Sequence, residues 1–219
     1  MNISTSILDA TDKIKSVITL NNTNTKYIHI DIMDGKFVPN KAFCNLEEIL
    51  AINNNTQKKL NIHLMVENPL EYIENLKNLN IGFIIFHVEI ISDVHEVISK
   101  IKSYGYKVGL ALKPDTEIFR LEPFLSEIDM VLVMSVEPGK GGQKFIPSTV
   151  SKIKEIKKII SNQSKSILIS VDGGINDQTI SLLEEIDIAV SGSYIVKSDN
   201  YSLKIEKLIA NYNKKSFRL

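Results

Sequence analysis

Met130-Val-Leu-Val-Met-Ser-Val136 is an apolar, largely β-branched run that ends directly before Glu137-Pro-Gly-Lys-Gly-Gly-Gln143. A run without polar alternation is typical of a strand buried on both faces of a parallel sheet. Seven further runs of this kind lie along the chain: Ile3–Leu8, Tyr27–Met33, Leu60–Val66, Phe83–Glu89, Val108–Lys113, Ile167–Asp172 and Ile188–Val196. Longer segments with helical periodicity separate them, without a linker or a low-complexity break.

Helix signals mark the segments between the runs. Asn45, Asn68 and Ser92 are expected to cap three of these helices, and Gly105 is expected to end the third. Eight strand and helix units in 219 residues predict one α/β domain, residues 1–219, folded as a (β/α)8 TIM barrel of parallel strands. The alternative is an open doubly wound sheet, but its Gly-x-Gly-x-x-Gly motif is missing after the first run.

Composition limits the partners of the protein. Lys and Arg total 26, as do Asp and Glu, so the zero net charge gives no bulk attraction to nucleic acid or to an anionic membrane. No apolar run approaches the roughly 20 residues that cross a bilayer, and the N-terminal segment does not resemble a secretory signal. We therefore expect a cytoplasmic protein. The single cysteine, Cys44, excludes an internal disulfide and any multi-cysteine metal cluster.

Ionisable side chains collect where the predicted strands end, the edge at which a barrel carries its active site. The second run contains His29 and Asp31, the third contains His63, and the seventh ends at Asp172. Imidazoles and carboxylates at one rim are poorly solvated unless a cation joins them. Two nitrogen and two oxygen ligands suit one divalent transition metal, with Zn(II), Fe(II), Mn(II) and Co(II) all open.

Three further histidine and glutamate side chains receive different predictions. His87 and Glu89 close the fourth run, and we expect them to orient a metal ligand because adding them would overfill the coordination sphere. His95 falls in the next helix and is expected to be a surface residue without a site role.

Glycines form a second cluster, after the sixth and seventh runs and inside the eighth. They are Gly139, Gly141, Gly142, Gly173, Gly174 and Gly192, followed by Ser193. Loops at this place in a barrel recurrently bind phosphate through backbone N–H groups, although plain turn chemistry is the alternative. The only arginines are Arg120, in a predicted helix, and Arg218, in the terminal tail, so backbone amides rather than guanidinium groups are expected to hold the anion.

Five segments resemble the ribulose-phosphate 3-epimerase family, in the family's order and across nearly the whole chain. They are Ser6-Ile-Leu8, His29-Ile-Asp-Ile-Met-Asp-Gly-Lys-Phe-Val-Pro-Asn40, His63-Leu-Met-Val-Glu-Asn-Pro69, Val133-Met-Ser-Val-Glu-Pro-Gly-Lys-Gly-Gly-Gln-Lys-Phe145 and Val171-Asp-Gly-Gly174. The resemblance implies a ribulose-phosphate-binding barrel, an isomerase of the pentose phosphate pathway that interconverts D-ribulose 5-phosphate and D-xylulose 5-phosphate. It also implies a sugar phosphate as partner and a homo-oligomer.

Residue roles also follow from the resemblance. His29, Asp31, His63 and Asp172 look like the metal ligands, and Asp31 and Asp172 look like acid/base groups on opposite faces of the sugar, working through a metal-stabilised enediolate. The implied substrate contacts are Ser6, Met33, His63, Met65, Met134, Gly139, Gly141, Gly142, Asp172, Gly173, Gly174, Gly192 and Ser193. Two opposed carboxyl groups suit this reaction, because one face of a carbinol carbon loses a proton while the other gains one.

The chain departs from the family pattern at three places: Thr5 replaces a proline, Cys44-Asn45 replaces Gly-Pro, and Lys140 replaces a phenylalanine. The loop that carries Lys140 resembles a lid, so one hypothesis is that Lys140 shifts preference toward a longer or more charged ketose phosphate. The alternative is an exposed lysine that never contacts substrate. Two other functions stay open: an epimerase for a hexulose 6-phosphate such as D-allulose 6-phosphate, and a non-catalytic phosphate-binding barrel.

Overall fold

A computed structural model describes residues 1–216, with side chains described to residue 214. Arg218 and the last part of the predicted domain, 217–219, lie outside the described residues. The strands are β1 (Asn2–Ser6), β2 (Tyr27–Asp34), β3 (Lys41–Ala42), β4 (Lys59–Met65), β5 (Ile81–His87), β6 (Lys107–Leu112), β7 (Met130–Met134), β8 (Leu168–Asp172) and β9 (Ile188–Ser191).

Helices follow most strands. They are α1 (Lys13–Asn21), α2 (Leu46–Asn54), α3 (Leu70–Ile73), α4 (Val94–Ser103), α5 (Thr149–Ser161), α6 (Ser193–Val196) and α7 (Tyr201–Ser216), with 3-10 turns at Glu74–Leu76, Ile118–Phe124 and Thr179–Leu182. Within residues 1–216, none of these helices combines the length and the apolar character that a bilayer crossing requires.

The strands close into a barrel. Their order is β1-β9-β8-β7-β6-β5-β4-β2, and β1 also pairs with β2, so the eight long strands form a ring in which every pairing is parallel. The predicted (β/α)8 TIM barrel is therefore confirmed, and the open sheet is excluded. The short β3 adds an antiparallel pairing to the end of β2, which the sequence did not predict.

Strand boundaries agree with the predicted runs to within two residues, except at the end of the last one. The prediction that Ile188–Val196 is one run was wrong beyond Ser191, because Ser193–Val196 forms α6. Ile195 is fully buried and Val196 nearly so, and a short apolar run has the same appearance in a buried strand as in a buried turn of helix.

Helix starts were predicted with mixed success. Asn45 caps α2 as expected, since its side chain accepts a hydrogen bond from the backbone N–H of Glu47. Ser92 does not cap α4; Asp93 does, by accepting from two backbone N–H groups, while Ser92 donates to the side chain of Asn68. Asn68 is no cap either, because α3 begins after Pro69 without a side-chain cap. Gly105, with φ of +77°, follows the end of α4 as predicted.

Alternation along the strands separates two apolar layers. The larger layer lies between the sheet and the helices and includes Ile30, Leu64 and Val171. Alternate positions of β5, β6, β7 and β9, together with Val136 just after β7, form a second cluster inside the barrel: Phe83, Ile85, Ala111, Met130, Leu132, Met134, Val136, Ile188 and Val190. Polar residues take the same alternate positions in β1, β2, β4 and β8, among them Ser6, His29, His63 and Asp172.

Candidate active site

Four ionisable side chains meet at the carboxyl ends of β2, β4 and β8. His29 Nε2 and His63 Nδ1 each lie 3.3 Å from Asp31 Oδ1 and 3.5 Å from Asp172 Oδ2. One donor atom from each residue lies within 4.8 Å of all the others. Strand register explains the meeting, because Asp31 and His63 are directly paired across β2 and β4. The structure thus brings together the four residues that the sequence predicts as metal ligands.

These donors fit a divalent transition metal. The four nitrogen-to-oxygen distances are 3.3–3.5 Å, and all four donor atoms lie within 4.8 Å of one another, so one ion can lie between them. Among the described residues, neither ring nitrogen of His29 has a well-aligned hydrogen-bond partner, although both are fully buried. An imidazole nitrogen close to two carboxylates and aligned with neither suits an ion shared by all of them.

Ionisation of the centre follows from the same contacts. Burial alone would lower the pKa of His29, but the neighbouring carboxylates outweigh it and raise this pKa to about 10. Burial alone would raise the pKa of Asp31 and of Asp172, but the two imidazoles hold both below their ordinary values. The centre therefore favours two carboxylate anions around positive charge, which is the electrostatic requirement of a bound cation.

A buried chain of hydrogen bonds leads away from the centre. His63 Nε2 lies 2.9 Å from His87 Nε2, and His87 Nδ1 lies 3.1 Å from Glu89 Oε2. The other oxygen of Glu89 accepts from the backbone N–H of Lys113, at 2.8 Å, and from the hydroxyl of Thr116. Burial lowers the pKa of His87 to about 4, so the ring is neutral. His87 thus contacts the candidate ligand His63 on its far side from Asp31, and Glu89 contacts His87 in turn.

A cavity of about 360 Å³ opens above the centre. The two carboxylates reach it, whereas His29 and His63 are buried beneath it. The predicted substrate contact of His63 is therefore not part of the cavity wall and stays a prediction. The other predicted contacts all line the cavity: Ser6, Met33, Met65, Met134, Gly139, Gly141, Gly142, Asp172, Gly173, Gly174, Gly192 and Ser193.

Ser6 and the methionines surround the carboxylates. The Ser6 hydroxyl donates to Asp31 Oδ2 at 2.7 Å, which leaves the other oxygen of Asp31 facing the imidazoles. The side chains of Met33, Met65 and Met134 are at most 3% exposed and form an apolar wall beside the charged centre. The cavity therefore places the two carboxylates beside an apolar surface that excludes water.

The glycine loops form the opposite side of the cavity. Gly142 and Gly174 have φ of +69° and +64°, and a Cβ on Gly174 would lie 2.5 Å from the backbone nitrogen of Phe145. Asn40 holds the loop after β7 by donating to the Gly139 carbonyl at 2.7 Å. Lys140 lies on this loop, exposed and lining the cavity mouth. These turns expose backbone amides to the cavity where no side chain intervenes.

Two other sequence predictions concern residues outside the cavity, and several cavity residues were missed, among them Asp9. His95 is exposed and contacts Glu127 at 2.7 Å, as expected of a surface residue. Arg120 donates to the carbonyl of Val88 and does not line the cavity. Asp9, on the turn after β1, lines the cavity and was not predicted. Asp9 follows the predicted run Ile3–Leu8, but it lies in a turn, where spacing does not fix the direction of a side chain.

The fold and the centre together define a class: a (β/α)8 barrel with a two-histidine, two-aspartate centre that is compatible with a divalent metal, at the carboxyl ends of its strands. A model of the ribulose-phosphate 3-epimerase family matches residues 2–196, almost all of that barrel. The chain belongs to this family.

Individual proteins agree with the match. The ribulose-phosphate 3-epimerase of Chlamydia pneumoniae is 41% identical over 194 residues, covering 87% of this chain and 84% of the relative. That of Helicobacter pylori strain J99 is 38% identical over 190 residues, covering 85% and 86%. The structure of 3-hexulose-6-phosphate synthase from Salmonella typhimurium covers 98% of this chain and 100% of its own, with a TM-score of 0.67. Its 14% identity makes this a likeness of fold alone.

Proposed function

We propose that this protein is a metal-dependent ribulose-phosphate 3-epimerase that interconverts D-ribulose 5-phosphate and D-xylulose 5-phosphate. One observation carries the proposal: Asp31 and Asp172 enter a single cavity from β2 and β8, strands separated by β1 and β9, and meet at two buried imidazoles. Family membership supports the same reaction. A non-catalytic barrel has no need for two buried carboxylates, because burying such charges is costly.

Asp31 and Asp172 act as the two bases. One carboxylate removes the proton at C3 from one face of the sugar, and the other, in its protonated form, returns a proton to the opposite face. The roles exchange in the reverse reaction. Ser6 holds Asp31 by one oxygen, so the carboxylate keeps its orientation through the exchange. Buried methionines keep bulk water away from the planar enediolate that forms between the two transfers.

His29, Asp31, His63 and Asp172 would hold one divalent ion, either Zn, Fe, Mn or Co. Such an ion would supply Lewis-acid chemistry, stabilising negative charge on the sugar oxygens by several kcal/mol. His87 and Glu89 orient His63 from the side away from the cavity. The expected homo-oligomer and cytoplasmic location stay predictions.

The glycine turns bind the phosphate group. Gly142, Gly174 and Gly192 present backbone N–H groups to the cavity, and Ser193 adds a hydroxyl. We call these four residues the phosphate cradle. The phosphate end of the substrate is distant from the reacting carbon. Binding energy from this end holds the carbon chain between the two carboxylates.

Substrate identity is tested by comparing two ketose phosphates. The metal-loaded protein is supplied with D-ribulose 5-phosphate or D-allulose 6-phosphate, and epimer formation is followed by NMR. The proposal predicts a higher kcat/KM for D-ribulose 5-phosphate, with D-xylulose 5-phosphate as product. A preference for the hexulose would make that sugar the substrate class, and no epimer from either sugar would support the non-catalytic alternative.

Replacing Lys140 tests whether the width and charge of the cavity mouth set substrate preference, because the Lys140 side chain is exposed where the cavity opens. If Lys140 sets substrate preference, Lys140→Phe changes the ratio of kcat/KM for the two sugars. Equal ratios in the parent protein and the variant would show that Lys140 is an ordinary exposed lysine.

A further inference from the structure

Asp9 places a carboxylate inside the phosphate cradle. Its Oδ2 accepts a hydrogen bond from the hydroxyl of Ser193, and an ideal Cβ on Gly141 would lie 2.3 Å from the same oxygen. A Cβ on Gly142 would lie 3.9 Å from Asp9 Oδ2 and 3.7 Å from Ser193 Oγ. The carboxylate therefore fills the gap between the loop after β7 and the first residue of α6.

This gap is the place that the proposed function gives to the phosphate. A carboxylate and a phosphate are both anions that accept hydrogen bonds, so the Ser193 hydroxyl and the glycine turns suit either one. Both cannot occupy the gap together, because like charges a few ångströms apart repel strongly in a partly enclosed site.

Lys197 supplies the neutralising charge. Its Nζ lies 3.3 Å from Asp9 Oδ2, and its side chain is 60% exposed, so it can follow a carboxylate that turns outward or remain with an anion that replaces it. Asp9 lies on a turn rather than in a strand, and its side chain is 22% exposed, so outward rotation about its side-chain bonds requires no change in the barrel.

We infer that Asp9 is a specificity-determining residue of this chain, an internal anion that occupies the phosphate cradle in the free protein and that a phosphate group must displace. The inference rests on the proposed function, because it takes the cradle to be the phosphate site. A strongly charged phosphate displaces the Asp9 carboxylate more readily than a weakly charged group does. Asp9 therefore weakens the binding of every anion, but it weakens phosphate binding least and so selects for the phosphate end of a substrate.

The test measures binding of inorganic phosphate to the metal-loaded protein at constant ionic strength. Calorimetry gives the dissociation constant, and amide NMR shifts of Gly142, Gly174 and Gly192 locate the bound ion. Asp9→Asn keeps the shape of the side chain and removes its charge, and Asp9→Ser removes the carboxylate altogether. Asp199→Asn is the control, because it removes an exposed carboxylate two residues beyond Lys197.

The inference predicts that Asp9→Asn and Asp9→Ser bind phosphate at least about tenfold more tightly than the parent protein, a change of about 1.4 kcal/mol. Asp199→Asn should change the dissociation constant less than about twofold, since exposed charges are screened. A merely structural role for Asp9 would instead weaken binding when the residue is replaced.

The other outcomes contradict the inference in distinguishable ways. If the cradle glycine amides shift in every protein but the dissociation constants are equal, the cradle is the phosphate site and Asp9 does not compete for it. If these amides do not shift in any of the proteins, the cradle is not the phosphate site, and this part of the proposed function is wrong together with the inference.

Discussion

Asp31 and Asp172 share one centre but have different neighbours. Asp31 accepts a hydrogen bond from Ser6, whereas Asp172 ends β8 and precedes the glycine turn. We expect Asp31→Asn and Asp172→Asn each to lower kcat for epimerisation by about 10²- to 10⁴-fold, the usual contribution of general acid/base catalysis. The measurement is the initial rate with metal content determined in each variant, so that loss of a base is separated from loss of the ion.

Asp115→Asn is the matched control for these two variants. Asp115 is an exposed carboxylate on the turn after β6, outside the cavity wall. Its replacement should leave the rate unchanged. A fully metallated Asp31→Asn or Asp172→Asn protein with the parent rate would show that the amide-substituted residue is not one of the two bases.

Glu89 determines which ring nitrogens carry a hydrogen in the hydrogen-bonded chain that runs through His87 to His63. One of its oxygens accepts from His87 and the other from Lys113 and Thr116, so the glutamate must be an acceptor at both. Glu89→Gln turns one of these positions into a donor that faces another donor, which disturbs the His87 tautomer and hence the nitrogen that His63 offers to the metal. We expect Co(II) to bind about 10- to 100-fold more weakly, measured by absorbance titration.

Glu117→Gln is the control for the Glu89 prediction, because Glu117 is exposed on the loop after β6, close in sequence to Thr116. It should leave the Co(II) dissociation constant unchanged. Equal affinity of Glu89→Gln and the parent protein would mean that the chain from Glu89 to His63 does not position the ligand.

At the residue scale, side-chain spacing explains what the sequence predicted. His29 and Asp31 are two apart on one strand and so share a face, and buried strand ends carry the remaining ligands. Asp9 could not be identified in this way, because it lies in a turn, where no periodicity fixes the direction of a side chain. Only the approach of Gly141 and Ser193 from distant parts of the chain shows where Asp9 lies.

At the scale of elements, the glycine turn after β8 supports the cavity through close backbone contact. Gly174 and Gly105 both have positive φ, but a Cβ on Gly174 would meet the backbone of Phe145, whereas a Cβ on Gly105 would meet nothing within 4 Å. We expect Gly105→Ala to cost about 1–2 kcal/mol of unfolding free energy, from the backbone conformation alone. Gly174→Ala should cost clearly more, because a turn must also move.

Urea denaturation of both variants measures this difference. Gly174→Ala should also weaken phosphate binding, whereas Gly105→Ala, at the far end of α4, should not. Equal unfolding free energies for the two variants would show that the close approach of Gly174 to Phe145 is not required.

Element types were more predictable than element ends. Eight buried runs sufficed for eight barrel strands, because strands buried on both faces are mostly apolar. The last run was extended too far, since Ile195 and Val196 are as apolar in α6 as they would be in a strand. The predicted cap of α4, Ser92, was one residue before the observed cap, Asp93. Both residue types cap helices, and only the backbone geometry decides between them.

At the scale of the whole molecule, closure of the barrel creates the site. The pairing of β1 with β2 completes the ring and sets Ser6 opposite His29, which allows Ser6 to reach Asp31. The number of strand and helix units predicted closure, but it could not predict β3, whose two residues are too few to carry a pattern. The arrangement of polar and apolar side chains inside the barrel also depends on register, which one sequence does not reveal.

The central claim is that one carboxylate removes a proton from one face of C3 of a ketose phosphate and the other returns a proton to the opposite face. Its most direct test is to incubate the metal-loaded protein with D-ribulose 5-phosphate in deuterated water and to locate the label by NMR. We predict deuterium at C3 of both D-ribulose 5-phosphate and D-xylulose 5-phosphate, and at no other carbon. A sugar that keeps its hydrogen at C3 and its configuration in the presence of the fully metallated protein would contradict the account.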